Sequence, residues 1–194
     1  MNKVTFRREG MWTILITFLL FLLGIHIVTR DNGTNVGSIY YGAVPGFNLE
    51  QPDDSSFTLL DLRGETWVIN YVNKIQSTES SLMANQIHKF VQDWGYKQDI
   101  NFLTIANQSN NKDLLSFTKQ NKISEKRWNI ISGSHQDVSN LIQNGFHISL
   151  DSIKEPNRFI LVDNNGQIRG YYTASNQKDI IRLVNDVHGL IRIS

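Results

Sequence analysis

A polar loop in the middle of the chain holds side chains that could do chemistry. The apolar run Trp67–Val72 predicts a buried strand, and a helix is predicted to start near Leu82. The loop between them offers hydroxyls, one amide and one carboxylate, from Gln76, Ser77, Thr78, Glu79, Ser80 and Ser81. A serine nucleophile needs a neighbouring base, and this loop supplies only Glu79. We therefore expect Ser80 or Ser81 to cap the helix, where a serine stabilises by about 1 kcal/mol.

The chain contains no cysteine, which excludes several kinds of chemistry. Disulfides, thiol–disulfide exchange, thiolate zinc sites and iron–sulfur clusters all require cysteine sulfur. A metal site would have to use the remaining donors, which are Glu79, Met83, His88, His135, His147, Asp151 and Glu155. A site of Glu and His ligands suits Cu(II) or Zn(II) better than Cu(I). No pair of these donors has the compact spacing of a metal motif, and we expect Met83 to lie in the core.

The N-terminal sequence predicts a membrane anchor. Nineteen residues, Met11 to Thr29, contain no Asp, Glu, Lys or Arg and are long enough to span the hydrocarbon core. Lys3, Arg7 and Arg8 precede them, which favours an N-terminus in the cytoplasm. A cleaved signal peptide is the alternative, but no small-x-small cleavage site follows the apolar run. We therefore predict a single-pass protein of the cytoplasmic membrane, with its C-terminal domain on the periplasmic side.

The remaining sequence divides into a tether and one domain. Residues 1–10 form the predicted cytoplasmic N-terminus, residues 11–29 the anchor, and residues 30–46 a polar, Gly-rich tether. Residues 47–194 are long enough to build a hydrophobic core without disulfides or metal. The formal net charge of +1 gives no electrostatic support for nucleic-acid binding.

Strand and helix signals alternate along the domain. Phe57–Leu60 resembles a short strand, and buried strands are predicted at Trp67–Val72, Asn101–Ile105 and Trp128–Ile131. Helices are predicted after Leu82, over Lys112–Lys119, around Val138–Ile142 and over Ile180–Ile191. Two apolar runs flank Asp163-Asn164-Asn165-Gly166, which is a hairpin signal. This order predicts a thioredoxin-like α/β sandwich with a mixed central sheet, in which Trp67–Val72 lies beside Asn101–Ile105.

The chain resembles the Sco/SenC family from about Val44 to Ile191. The resemblance is carried by VPGFNLEQPDDSSFTLLDLRGETWVINY, by NLIQNGFHISL and, most specifically, by NRFILVDNNGQIRGYYTASNQKDIIRLVNDV. It implies a membrane-anchored, thioredoxin-like protein related to the copper chaperones of cytochrome c oxidase. The resemblance also implies a role in respiratory-chain assembly and a location in the periplasm.

The resemblance also implies where copper ligands would stand. The family carries Cys-x-x-x-Cys-Pro-x-Met after the first buried strand, and a His before the hairpin. Aligning its Met on Met83 places Gln76 and Ser80 at the cysteine positions and Glu155 at the histidine. Ala106-Asn107 replaces the family's Asp-Pro pair. The scaffold is therefore predicted to lack all three metal ligands.

These observations predict a binding function rather than catalysis. We expect an accessory protein without thiol chemistry, enzymatic activity or a cofactor, with a protein partner in oxidase or envelope assembly. A copper or other metal chaperone that uses non-thiolate ligands is the alternative. We further expect Pro156 to contact the loop Gln76–Ser80, with the cis and trans states of its peptide bond equally open.

Overall fold

One mixed sheet organises the part of the chain that this computed structural model describes, which is residues 40–75, 77–94, 100–107, 110–123, 127–149 and 157–191. Within these residues the sheet has eight strands: β1 (Gly42–Ala43), β2 (Asn48–Glu50), β3 (Ser56–Thr58), β4 (Thr66–Val72), β5 (Ile100–Asn107), β6 (Trp128–Gly133), β7 (Arg158–Val162) and β8 (Gln167–Thr173). Their order across the sheet is β1-β8-β7-β4-β5-β6-β2-β3.

The centre of the sheet has the predicted arrangement. β4 pairs with β5 in parallel, and β5 pairs with β6 in parallel. β7 runs antiparallel to both β4 and β8, so the hairpin predicted around Asp163–Gly166 is confirmed. The Asp163 carboxylate accepts hydrogen bonds from the backbone of Asn165 and Gln167, both at 2.9 Å, and fixes this turn.

Helices cover the sheet and connect its strands. They are α1 (Leu59–Leu62), α2 (Thr78–Trp94), α3 (Asn111–Gln120), α4 (His135–Asn140) and α5 (Gln177–Ile191). α4 continues into a π-helical turn, Leu141–Gly145. Two hydrophobic clusters contain buried residues from these helices and from the strands, so the fold is the predicted thioredoxin-like sandwich.

Alternation along β4 sends its side chains into two different clusters. Val68 and Val72 belong to the cluster that contains Met83 of α2, which confirms Met83 as a core residue. Trp67 and Ile69 belong to the other cluster. This register explains why β4 is mostly apolar, since a central strand that is covered on both faces has no solvent side that favours polar residues.

Three local predictions need correction. Leu59 and Leu60 are helical rather than extended, because Thr58 and Asp61 form a capping box that starts α1. α2 begins at Thr78 instead of near Leu82, because its first turn is polar and escapes an apolar pattern. The sheet also begins before residue 47: Gly42–Ala43 pairs with β8, and Val44 is buried.

The predicted anchor, residues 11–29, lies outside the described residues, as does the predicted contact between Pro156 and Gln76. In the part of the chain that the structure describes, every helix is too short or too polar to cross a membrane.

A buried chain of hydrogen bonds crosses the centre of the sheet. Trp128 Nε1 donates to Thr104 Oγ1 over 3.0 Å, and Thr104 Oγ1 donates to Asn70 Oδ1 over 2.9 Å. Asn70 and Thr104 are each 1% exposed. One hydroxyl therefore satisfies two buried polar groups on different strands.

Replacing Thr104 by Val should destabilise the domain strongly, although the substitution keeps the shape of the side chain. It leaves the Trp128 N–H and the Asn70 carbonyl oxygen without their partner, at a cost of about 1–3 kcal/mol for each group. Urea unfolding of the variant measures this loss. Thr104→Ser retains the hydroxyl and is the matched control, so equal destabilisation by both variants would contradict the hydrogen-bond argument.

Candidate functional site at the carboxyl edge of the sheet

Three parallel strands bring their carboxyl ends to the same edge of the sheet. β4 ends at Val72, β5 at Asn107 and β6 at Gly133, in adjacent positions. The segments that follow β4 and β6 lead into α2 and α4. In α/β folds ligands bind at this edge, because loops and helix starts converge there.

A hydrogen-bonded network of four residues spans this edge. Tyr71 Oη donates to Asn73 Oδ1 over 3.1 Å, and Asn107 Nδ2 donates to the same oxygen over 2.9 Å. Asn107 Oδ1 lies 3.1 Å from His135 Nδ1. We call Tyr71, Asn73, Asn107 and His135 the edge network. Its members come from three separate segments of the chain and are accessible to solvent, with Asn73 and His135 exposed.

The hydrogen bonds of the edge network define the orientation of the Asn107 amide. Asn107 directs its amide nitrogen toward Asn73 and its amide oxygen toward Nδ1 of the His135 ring. The second ring nitrogen of His135, Nε2, lies 3.5 Å from Ser139 Oγ. Burial raises the pKa of Tyr71, and the charge of Glu79 raises it further. Tyr71 therefore stays a neutral donor at physiological pH.

Ser77 and Ser80 start α2 with a reciprocal pair of hydrogen bonds. Ser80 N donates to Ser77 Oγ, and Ser77 N donates to Ser80 Oγ, both over 3.0 Å. This is a capping box in which Ser77 is the N-cap. Ser80 is 0% exposed, and its hydroxyl also donates to the Ser77 carbonyl. The Ser80 hydroxyl therefore belongs to the helix start, as predicted, but the N-cap is Ser77 rather than Ser80 or Ser81.

Replacing Ser77 by Ala should cost about 0.5–2 kcal/mol of stability, because the Ser80 backbone N–H loses its acceptor. Thermal unfolding followed by circular dichroism at 222 nm checks this. Ser81→Ala is the control in the same turn. Ser81 only donates back to the Ser77 carbonyl, a bond that does little for a helix. An equal loss from both substitutions would show that Ser77 is not the cap.

Comparison with solved structures identifies the scaffold. BsSco, a member of the Sco family of cytochrome c oxidase assembly proteins, superposes with a TM-score of 0.64 at 16% identity, over 79% of this chain and 95% of that one. A SCO1/SenC family lipoprotein from Bacillus anthracis gives 0.61 at 21% identity, over 76% and 95%. Yeast Sco1 gives 0.55 at 15% identity, over 73% and 97%. This chain has the fold of the Sco proteins. No family model and no curated protein matches the sequence.

One of the three predicted ligand positions, Ser80, lies among the residues that the structure describes. Ser80 stands buried in the first turn of α2, whereas Gln76 and Glu155 lie outside the described residues. Their convergence therefore stays a prediction. Among the residues that the structure describes, no three of His, Asp and Glu are grouped so that they could hold a metal ion.

The other predicted donors are dispersed over the Sco fold. His88 packs edge-on against Trp128, with ring centroids 5.4 Å apart. His147 is exposed and has a left-handed backbone, with φ of 54°. Asp151 lies outside the described residues. Of the candidate histidines, the structure brings only His135 to the carboxyl edge.

Sequence reasoning named His135 only as a possible donor and missed Tyr71 and Asn73. Asn107 was noted only for replacing a family proline. Asn73, Asn107 and His135 each stand at or within two residues of the end of a parallel strand of the structure. Polar residues at those positions of an α/β sheet are candidates for a shared site.

Proposed function

We propose that this protein is a membrane-anchored, Sco-like accessory protein that works by binding a protein partner during assembly of cytochrome c oxidase or another envelope complex. One observation supports this most directly. The carboxyl edge of a Sco-like sheet carries a network of hydrogen-bonding groups, in a chain without cysteine.

The composition of that edge favours binding over redox chemistry. BsSco has a disulfide switch, and yeast Sco1 has been solved with copper bound. This chain can form no disulfide, and the Ser80 hydroxyl is hydrogen-bonded to the Ser77 backbone at the helix start. A phenol, two amides and an imidazole can hold a partner through directed hydrogen bonds, and an ordered network lowers the entropy lost on binding.

Complementation tests the proposed assembly role. Deletion of the gene should lower the amount of assembled cytochrome c oxidase, and the natural chain should restore it. A double variant, Asn73→Ala with His135→Ala, should restore less, because it removes two exposed members of the edge network. Asn185→Ala, on the exposed face of α5, is the matched control. Full restoration by the double variant would show that the assembly function does not depend on the edge network.

Copper titration distinguishes the alternative function. The natural chain should not compete with a Cu(I) chelator, because its amide and hydroxyl oxygens are hard ligands and Cu(I) prefers thiolate or thioether. Tight binding of Cu(I) or Cu(II) by the purified protein would instead favour a metal chaperone with non-thiolate ligands.

The proposed topology has its own test. Protease added to intact spheroplasts should digest the domain while the anchor remains in the membrane. Replacing Leu20 by Arg should impair insertion, at about 2.5–3.5 kcal/mol for an arginine at the centre of the span. Protection of the domain in intact spheroplasts would contradict a periplasmic location.

A further inference from the structure

The segment that leads into the domain is fixed to one outer edge of the sheet. Tyr41 N donates to Ile168 O over 3.0 Å, and Val44 N donates to Gly166 O over 2.9 Å, so this segment pairs with the start of β8. Within the described sheet β1 is the outermost strand on this side. The chain therefore enters the domain at the edge formed by β1 and β8.

Three tyrosines lie at this edge. Tyr40 is 57% exposed. Tyr41 is 47% exposed, although its ring packs edge-on against Tyr171 with the ring centroids 5.2 Å apart. Tyr171 is half-buried, and its hydroxyl donates to Phe146 O over 3.0 Å, which holds this ring on the domain. We call Tyr40, Tyr41 and Tyr171 the tyrosine patch.

The tyrosine patch differs from the other exposed apolar side chains of the described residues. Large exposed apolar side chains elsewhere stand singly, at Leu60, Leu82, Leu115 and Ile181. Single exposed apolar residues are ordinary on a protein surface. Tyrosine combines an apolar ring with a polar hydroxyl, and it is enriched where proteins meet the headgroup region of a membrane. The residue type at this edge therefore suits a lipid interface.

The part of β8 beyond β1 is closed to an added strand. Arg182 donates to Tyr171 O over 2.8 Å, and Thr173 N donates to Asp179 Oδ2 over 2.8 Å. Side chains of α5 thus occupy backbone groups that a partner strand would need, which is a common way to protect a sheet edge. This observation disfavours an extended peptide as the occupant, because such a peptide gains its affinity from those backbone groups.

The sequence before Tyr40 selects the membrane as the occupant. The predicted anchor ends at Thr29, and residues 30–39 connect it to the tyrosine patch. Ten residues span at most about 35 Å when fully extended. So short a connection gives the domain a high effective concentration at the bilayer surface, and the connection attaches at the patch itself.

We propose that the tyrosine patch lies in the headgroup region of the membrane that anchors the chain, and so holds the edge formed by β1 and β8 toward the bilayer. This inference rests on the proposed membrane anchor. The edge network belongs to segments that follow β4, β5 and β6, so it does not take part in this contact.

Fluorescence quenching of the full chain in lipid vesicles tests the proposal. The chain contains no cysteine, so one introduced cysteine carries the only label. Ala43 is exposed, and Ala43→Cys keeps all three tyrosines. In vesicles of phosphatidylethanolamine, phosphatidylglycerol and a nitroxide-labelled headgroup lipid, a label at position 43 should lose fluorescence. A label on Leu115→Cys should not, because α3 packs in the hydrophobic cluster opposite that of Tyr171.

A matched pair of variants separates docking from simple proximity. Adding Tyr40→Ser and Tyr41→Ser to the Ala43→Cys chain should remove most of the quenching, whereas adding Leu115→Ser, which also removes an exposed apolar side chain, should leave it unchanged. Circular dichroism establishes that each variant is folded, and flotation with the vesicles establishes that it is anchored.

Three outcomes would overturn the proposal. Equal quenching at position 43 with and without the two tyrosines would mean that the short connection alone holds the domain near lipid. Equal fluorescence at positions 43 and 115, in a chain that floats with the vesicles, would exclude docking and leave the anchor standing. A folded chain that fails to float would exclude the anchor, and this proposal with it.

Discussion

The chain with Gln76→Cys, Ser80→Cys and Glu155→His should acquire a Cu(I) site. Two thiolates and an imidazole are ligands that copper accepts, whereas a serine hydroxyl and a glutamine amide are not suited to Cu(I). Loss of even one outer-shell partner typically costs about 10–100-fold in metal affinity. Three new direct ligands should therefore raise Cu(I) affinity by on the order of 10³-fold or more. Competition with a chromophoric Cu(I) chelator measures the gain.

Two features near Ser80 have opposite effects on the expected increase in Cu(I) affinity. A thiolate in the first turn of α2 is favoured by the positive end of the helix dipole. The neighbouring Glu79 carboxylate disfavours the same thiolate. Ser80→Cys also removes one half of the capping box, so the variant should lose stability of about 1 kcal/mol. Ser80→Cys alone is the control for the effect of a single thiol. A folded triple variant with the affinity of that control would show that positions 76, 80 and 155 do not converge.

Replacing Ile69 by Ala should cost about 2–5 kcal/mol of unfolding free energy. Ile69 is 0% exposed in the middle of β4, with Leu103 of β5 and Ile160 of β7 as its register neighbours. All three belong to one hydrophobic cluster, and a central strand held on both sides cannot collapse to fill the cavity. Equilibrium unfolding in urea, followed by tryptophan fluorescence, gives the change.

Ile181→Ala is the matched control for Ile69→Ala. Ile181 lies on α5 and is 55% exposed, so its truncation should change the unfolding free energy by no more than about 0.5 kcal/mol. Similar losses at both positions would mean that the cost comes from the isoleucine's own conformational preference rather than from burial.

The scaffold and the absence of thiol chemistry can both be inferred from the amino-acid sequence alone. Long apolar runs such as Trp67–Val72 indicate central strands, because a strand that is covered on both faces favours apolar residues at most positions. The Asp163–Gly166 turn carries its own conformational signal. The absence of thiol chemistry follows from composition alone. Short elements were less predictable: β1 has two residues and β2 has three, too few to display a period.

Which polar side chains contact one another depends on the way the strands are arranged in the sheet. The edge network joins Asn73 to Asn107 across 34 positions and Asn107 to His135 across 28. These contacts depend on the order and register of β4, β5 and β6, which local sequence does not encode. The sequence does not show what a polar side chain contacts. The sheet places that side chain beside a particular partner and so determines the chemistry available to it.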